Sequence, residues 1–252
     1  MRARPILLLL AALGALVPTP GHAETLDQGS FKIYRHNQPL GAETFLFTEG
    51  NDSLAVEARQ FLTLQTADGE QPLERSANVV VSRTDFSLLS FSSIRTFQGK
   101  TITRGIALSD THYVAYRQTD LGGEGESRIL PPGRIYVMDS QIITLFDLIC
   151  RSFQDRAFKS RDIHLLALGP SDTMLTAHAT ALGTETVRWD EKPVVAHKLQ
   201  LKVDSQTIFT FWIGPRGQLL RLIEPVGGLR AERTPPAAKG ASAPATPPKP
   251  GG

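Results

Sequence analysis

The sequence predicts a mainly all-β protein: a strongly curved antiparallel sheet or half-barrel of about 10–12 strands with one buried helix, Gln141–Phe153. Two observations lead to this fold class. Runs of alternating apolar and polar residues, separated by short groups of turn formers, fill the chain on both sides of residues 139–153. Only the stretch between them has the pattern of a helix. Closely spaced strands joined by short turns are typical of antiparallel pairing.

The first group of strands lies between Ser30 and Arg134. Alternation at Phe31 and Ile33 and at Phe45 and Phe47 predicts an opening hairpin around the turn 37–41. Further strands are predicted at Leu54–Thr66, Leu73–Arg83, Phe86–Phe97, Thr101–Leu108 and His112–Thr119. The next segment, Asp120–Ser127 (DLGGEGES), is rich in glycine and acidic residues. We therefore interpret it as a solvated loop.

The helix prediction depends on the stretch Asp139–Phe153, DSQIITLFDLICRSF. Asp139 and Ser140 are favourable N-cap residues, and apolar residues cover nearly the whole circumference behind them. Only Thr144, Asp147 and Arg151 interrupt that surface. Fifteen residues extend about 22 Å, short of the ~20 residues that cross a bilayer, so we expect a helix buried in the protein core.

A second group of strands follows the helix. It comprises Ile163–Leu168, Met174–Leu182, Glu185–Trp189, Val194–Val203, Thr207–Ile213 and Gln218–Glu224. Large apolar residues occupy both faces of the segment that contains Phe211 and Trp212. This pattern predicts a strand that is covered on both sides.

A short motif occurs once in each group of strands, as Leu40-Gly41-Ala42-Glu43-Thr44 and Leu182-Gly183-Thr184-Glu185-Thr186. Glycine would supply a special backbone conformation in each copy, and glutamate an outward polar position. Two groups of strands around one helix would fit a duplicated half. Chance similarity between hairpins would produce the same match.

Residues 1–23 have the pattern of a secretory signal peptide. Arg2 and Arg4 precede an apolar run, Ile6–Val17, and Gly21-His22-Ala23 provides the small residues of a cleavage site. We therefore expect an exported protein with no transmembrane anchor. Two of the 27 lysine and arginine residues lie in this segment. The rest of the chain therefore has 25 basic and 25 acidic residues, and its formal net charge is zero. A neutral chain disfavours nucleic acid as a partner.

The end of the sequence, TPPAAKGASAPATPPKPGG at 234–252, is rich in proline, alanine and glycine. This composition cannot form a core and predicts a disordered tail. The predicted organisation is a signal peptide at 1–23, one β-rich domain at 24–233 and the tail at 234–252.

Motifs for catalysis, cofactor binding and metal binding are missing from the sequence. It has no Gly-x-Ser-x-Gly, His-Glu-x-x-His, Cys-x-x-Cys or Gly-x-Gly-x-x-Gly. Cys150 is the only cysteine and lies within the apolar helix, as a small buried hydrophobic residue would. His164, His178 and His197 could meet as a zinc site on neighbouring strands, but a histidine in a strand is more often simply half-buried. We predict no enzyme, no catalytic residue, no cofactor and no metal.

Four short segments carry a resemblance to a family of exported bacterial β-proteins of uncharacterised function. They are Gly41-Ala42-Glu43, Leu145-Phe146-Asp147-Leu148, Gly183-Thr184-Glu185 and Phe211-Trp212-Ile213. The fold of that family is similar to the curved half-barrels of the outer-membrane lipoprotein-carrier superfamily. The resemblance implies a periplasmic location. True carriers have more than one helix along their cavity, whereas this sequence predicts one.

Two functional hypotheses follow. In the first, a periplasmic protein binds an apolar or lipid-like ligand between the curved sheet and the helix. Phe146, Ile149, Trp189 and Trp212 are then the candidate ligand-binding residues. In the second, the protein interacts with another envelope protein through an exposed strand edge or the proline-rich tail, without a small ligand.

Overall fold

The alternating runs of the sequence form one curved, fifteen-stranded sheet in the part of the chain that the structure, a computed structural model, describes. The described residues are 24–109, 111–139, 141–153, 158–169 and 172–235. The predicted signal peptide, 1–23, and residues 236–252 of the predicted tail lie outside them. No helix in the described ranges is long and apolar enough to cross a membrane.

The strands fall into two groups, one on each side of the helix in sequence. The first group is β1 (Glu24–Arg35), β2 (Gln38–Glu49), β3 (Ser53–Thr66), β4 (Gly69–Ser82), β5 (Leu88–Phe97), β6 (Lys100–Leu108), β7 (His112–Thr119) and β8 (Gly122–Ile129). After β9 (Ile135–Met138) and the helix α1 (Ile143–Ser152), the second group is β10 (Ser160–Ala167), β11 (Thr173–Trp189), β12 (Lys192–Lys202), β13 (Ile208–Ile213), β14 (Leu219–Glu224) and β15 (Leu229–Arg233).

Each group is a meander of sequential antiparallel strands, and the two meanders join where β1 pairs with β15. The sheet therefore ends at β8 on one side and at β9 on the other. Strand β9 pairs parallel with β10, and it also contacts β5 from the other group. The sheet thus curves until its two halves approach each other. This arrangement confirms the predicted curved all-β fold, but the described residues form fifteen strands where about 10–12 were predicted.

Several hairpins turn through two residues that both have positive φ, as in the turns that match the twist of antiparallel strands. His36 and Asn37 have φ of 48° and 66°, and Asp190 and Glu191 have 52° and 58°. The first turn is therefore tighter than the predicted turn at 37–41, because β2 already begins at Gln38.

The structure corrects the predicted strands at four places. The segment interpreted as a solvated loop forms strand β8, which pairs with β7 along its length. Strand β8 pairs with β7 through its backbone, and its exposed side chains do not alternate between apolar and polar. Strands β9 and β15 were not predicted from the sequence. The two strands predicted at 174–182 and 185–189 are one strand, β11, which has a bulge before Gly183.

The helix lies inside the curve of the sheet, where it contacts β2, β9 and β14. Its residues from Ile143 to Arg151 are all buried, including Cys150. The Phe146 ring packs 4.7 Å from the Phe209 ring on β13, measured between centroids. The helix begins two residues later than predicted because Asp139 forms a separate turn, in which its carboxylate accepts the N–H of Gln141.

Two of the polar residues on the helix belong to a buried ionic network that joins it to both ends of the described chain. Asp147 accepts hydrogen bonds from Arg151 at 3.3 Å and from Arg233 on β15 at 3.2 Å. Both arginines also bind Asp27 on β1. Two acids and two bases balance each other, and the arginines hold the pKa of Asp27 below its usual range even though burial acts in the opposite direction. The network fixes the orientation of the helix inside the sheet.

Removing one carboxylate should leave an unbalanced buried charge. We expect Asp147→Asn to lower the free energy of unfolding by about 3–5 kcal/mol, because both arginines would then share Asp27 alone. Asp162→Asn is the matched control, since Asp162 binds His178 at an exposed site and its loss should cost under about 1 kcal/mol. Denaturant unfolding of both variants measures the difference, and equal losses would contradict the account.

Candidate ligand-binding site

The four residues predicted to bind a ligand do not share a cavity. Phe146 and Ile149 are both fully buried in the main core, between the helix and the inner face of the sheet. The cavity beside Ile149 has a volume of only about 10 Å³. This is about the size of one water molecule, so the helix packs on the sheet without room for a ligand.

Trp189 and Trp212 lie on the other face of the sheet. Trp212 follows Phe211 along β13, and adjacent side chains on a strand point to opposite faces. Its neighbours form a second, smaller apolar cluster: Val187, Trp189, Val194, Ala196, Leu220 and Ile223. Strand β13 is thus covered on both sides, as the sequence predicts. The prediction that grouped the two tryptophans with Phe146 and Ile149 is corrected by this alternation.

Cavities open instead beside the start of the helix, on the inner face of the sheet. One cavity of about 380 Å³ has walls made mainly of aliphatic side chains, and we call it the apolar trough. Its apolar residues include Ile33, Leu40, Leu62, Leu64, Leu73 and Phe209. The polar groups at its walls include Arg35, Gln206 and Glu224. The Glu224 carboxylate is already bound to the N–H groups of Val226 and Gly227. The volume is within the range of small-molecule sites, about 300–1,000 Å³.

The second cavity, of about 360 Å³, has a different lining, and we call it the arginine cavity. Four arginines from four successive strands line it: Arg75 on β4, Arg95 on β5, Arg104 on β6 and Arg117 on β7. Among the described residues, Asp139 is the one carboxylate in its walls. Arg95 and Gln141 belong to the walls of both cavities, so the two lie side by side.

A row of polar residues crosses the inner face of the sheet next to these cavities. Glu43, Gln60, Arg75 and Arg95 lie opposite one another in register on β2, β3, β4 and β5. We call them the polar row. The first three bind the segment that leads into the helix, residues 139–144. Arg75 binds Asp139 at 3.4 Å, and Gln60 donates to the carbonyl of Gln141.

Glu43 is the end of the polar row and the partner of the helix N-terminus. Its carboxylate accepts the N–H groups of Ile143 at 2.9 Å and Thr144 at 2.6 Å, and also the Thr144 hydroxyl and the Gln60 amide. The side chain is fully buried, so the prediction of an outward position is wrong. Burial raises the pKa of Glu43 from 4.5 to about 7, against the opposing effect of its four donors.

The second copy of the motif has a different environment. Glu185 is exposed, where it binds Lys198 at 2.9 Å. Gly41 and Gly183 both follow a bulged leucine, but β2 has its bulge against the preceding strand and β11 against the following strand. The shared residues therefore support a similar local bend without an equivalent role in the fold.

The histidines considered for zinc do not form a site. His178 binds Asp162 at 2.7 Å, whereas His197 pairs in register with Thr184, six residues further along β11. Within the ranges that the structure describes, no three histidine, cysteine, aspartate or glutamate side chains group closely enough to hold a metal ion.

The raised pKa of Glu43 gives a pH dependence with a definite sign. Between pH 4.5 and 7 the folded protein binds more protons than the unfolded chain, so its free energy of unfolding should fall as the pH rises. A shift from 4.5 to about 7 corresponds to about 3 kcal/mol. Glu43→Gln should remove this slope, so that the stability difference between wild type and variant changes by that amount from about pH 5 to pH 8.

Glu185→Gln is the matched control, because it makes the same change in the exposed copy of the motif. Its stability curve should run parallel to that of the wild type across the same range. Denaturant unfolding at several pH values measures all three proteins. A Glu43→Gln curve that also runs parallel to the wild type would contradict a raised pKa.

Comparison with known proteins shows the fold and no more. No protein-family model matches the sequence, and no curated protein matches it. Among solved structures, the chain is similar to a β-barrel-like protein of the domain of unknown function DUF1849 from Brucella abortus. The TM-score is 0.57 at 9% sequence identity, with 82% of this chain and 94% of that chain covered. A DUF1089 family protein from Pseudomonas aeruginosa has a TM-score of 0.43 at 11% identity, with 71% and 87% covered. The Brucella likeness supports the curved β fold, and membership of the lipoprotein-carrier superfamily stays a prediction.

Proposed function

We propose that the protein is a non-enzymatic, periplasmic binding protein that holds an apolar or lipid-like ligand in the apolar trough. The observation that carries this proposal is the trough itself: a cavity of about 380 Å³ with aliphatic walls, open on the inner face of a curved sheet. Apolar surface in such a cavity is stabilised when a ligand replaces water. The signal-peptide pattern at 1–23 supports the location.

The position of the ligand differs from the one first expected. The tightly packed interface between helix and sheet has no space for it, whereas the trough lies beside Gln141, just before the helix. The ligand would therefore contact the sheet and the segment that leads into the helix. Tryptophan emission is a poor reporter of binding here, because Trp189 and Trp212 lie on the outer face.

Binding is favoured over catalysis by the state of the carboxylates at the two cavities. Glu224 accepts two backbone N–H groups, and Asp139 binds both Arg75 and the N–H of Gln141. Both oxygens of Glu224 are therefore occupied, and the ion pair with Arg75 makes Asp139 a weaker base, whereas a general base needs a basic position within reach of its substrate. The remaining walls are mainly aliphatic and guanidinium groups, which are suited to holding a ligand.

A charge placed in the trough should prevent binding of an uncharged probe. We expect wild-type protein to bind decan-1-ol, and Leu64→Glu to weaken that binding by at least about tenfold, since an ionised carboxylate resists desolvation by an alkyl chain. Leu64 is only partly buried, so the folded protein should tolerate the change. Isothermal titration calorimetry measures the affinities.

Thr63→Glu is the matched control. Thr63 is the preceding residue of β3, is exposed and points to the outer face. The Thr63→Glu variant adds the same charge to the same strand, and its affinity for decan-1-ol should equal that of the wild type. Equal weakening by both variants, or no binding by the wild type, would contradict the proposal.

A second candidate function is interaction with an envelope protein through a strand edge. The observation that favours it is β8, a terminal strand of the sheet whose residues are almost all exposed. Glu124, Glu126 and Arg128 place charges along this strand, a feature that limits indiscriminate strand pairing. A partner at this edge would need to match those charges.

Site-specific photo-crosslinking tests this candidate in the exported protein. A photoreactive residue at Gly125 on β8 should capture one discrete protein if the edge is an interface. The same residue at Thr63, on the outer face, should capture none. Identical products from the two positions, or none from Gly125, would contradict an interface at β8.

A further inference from the structure

The arginine cavity concentrates positive charge on the inner face of the sheet. Arg75 and Arg95 lie directly opposite each other on β4 and β5, and Arg104 and Arg117 do so on β6 and β7. Like charges in directly opposed positions of a sheet destabilise it. An anion bound between two such pairs on one face would relieve this repulsion.

The described residues supply only part of that compensation. Arg104 binds Asp172 at 3.2 Å and the carbonyl of Gly169. Among the described residues Arg75 pairs with Asp139 at 3.4 Å, and the charge of the Glu43 carboxylate also acts on it. Arg95 has no carboxylate partner in the described ranges, and its guanidinium lies 5.8 Å from the centroid of the Phe97 ring. The exposed guanidinium of Arg95 can therefore meet an anion at the cavity wall.

Arg75 gives a second, independent indication of an absent partner. Its side chain is only 8% exposed, yet its buried Nε–H has no acceptor among the described residues. A buried donor without an acceptor destabilises the folded protein. Burial and the neighbouring Arg95 lower the pKa of Arg75 while Asp139 opposes them, but an arginine stays protonated at neutral pH.

Guanidinium groups arranged in this way suit an oxyanion. Each can donate two parallel hydrogen bonds to a phosphate or a carboxylate, and such charge-assisted bonds are stronger than neutral ones. Arg95 stands between the two cavities, since it belongs to the walls of both. An anion bound there would lie next to the aliphatic walls of the trough.

We propose that the arginine cavity binds the anionic head group, a phosphate or a carboxylate, of an amphiphile whose alkyl chain lies in the apolar trough. This inference rests on the proposed function, because the trough must hold the chain. It adds the chemical class of the ligand: a single-headed anionic amphiphile in place of a neutral apolar compound.

Three probes separate the head group from the chain: decyl phosphate, decan-1-ol and inorganic phosphate. Wild-type protein should bind decyl phosphate at least about tenfold more tightly than decan-1-ol, the gain expected for hydrogen bonds to a charged group. Inorganic phosphate should bind more weakly than decyl phosphate. Added salt should weaken binding of decyl phosphate and leave that of decan-1-ol unchanged.

Arg95→Ala tests the residue that the two cavities share. Arg95 is exposed and has no ion pair among the described residues, so its removal should leave the melting temperature close to that of the wild type. Because Arg95 also belongs to the wall of the trough, the test is the difference between the probes: the variant should lose at least about tenfold more affinity for decyl phosphate than for decan-1-ol. Arg95→Lys keeps the charge and should restore part of the loss. Arg59→Ala, on the exposed outer face of β3, is the control and should bind both probes as the wild type does.

The outcomes distinguish this inference from the function on which it rests. Equal affinities for decan-1-ol and decyl phosphate would overturn the head-group site and leave the apolar trough intact. Equal affinities for inorganic and decyl phosphate would show an anion site without a chain, which also overturns the inference. No binding of either amphiphile would overturn both proposals. Equal effects of Arg95→Ala and Arg59→Ala would attribute the preference to overall charge and overturn the assigned position.

Discussion

The fold depends on the polar stripe of a helix that is buried on every side. Thr144, Asp147 and Arg151 lie three and four residues apart, so they occupy one side of α1. Inside a protein, each of these groups and each open N–H of the first turn needs a partner. Glu43 supplies it at the start of the helix, and Asp27 and Arg233 supply it further along. Strands β1, β2 and β15 must therefore lie side by side beneath the helix, and this requirement brings the two meanders together at the middle of the sheet.

The contacts that attach the helix to the sheet also determine where cavities remain on the inner face. The helix and its core contacts fill one part of the inner face so closely that a cavity of about 10 Å³ remains beside Ile149. Over the other part lie Asp139 and Gln141, which bind Arg75 and Gln60, and cavities remain there. The apolar trough and the arginine cavity lie on either side of Gln141. A packed half and an open half of one sheet thus follow from a single anchored segment.

Much of the fold could be predicted from the sequence, because the period of apolar residues records which face of a strand or helix is buried. The helix, most strands and the coverage of β13 on both faces followed from that period. Strand β8 could not be predicted, because its glycines and charged residues lie at an exposed edge and do not alternate with apolar residues. The candidate binding site could not be predicted from the sequence either. Glu43, Arg75 and Arg95 form a row only in the register of β2 to β5, and the spacing of residues along one chain does not state which residues lie opposite each other.

The pairing of β1 with β15 also has a consequence for how the chain folds. Asp27 and Arg233 are 206 residues apart, so the central pair of the sheet and the ionic network beneath the helix form only after nearly the whole domain has been produced. The hairpins of each meander involve neighbouring residues and can assemble earlier, whereas contacts between distant residues carry the entropy of closing a long loop. Until β15 arrives, Asp27 and Asp147 lack their partner Arg233, and the first strand has a free edge. The last strand therefore completes both the sheet and the core.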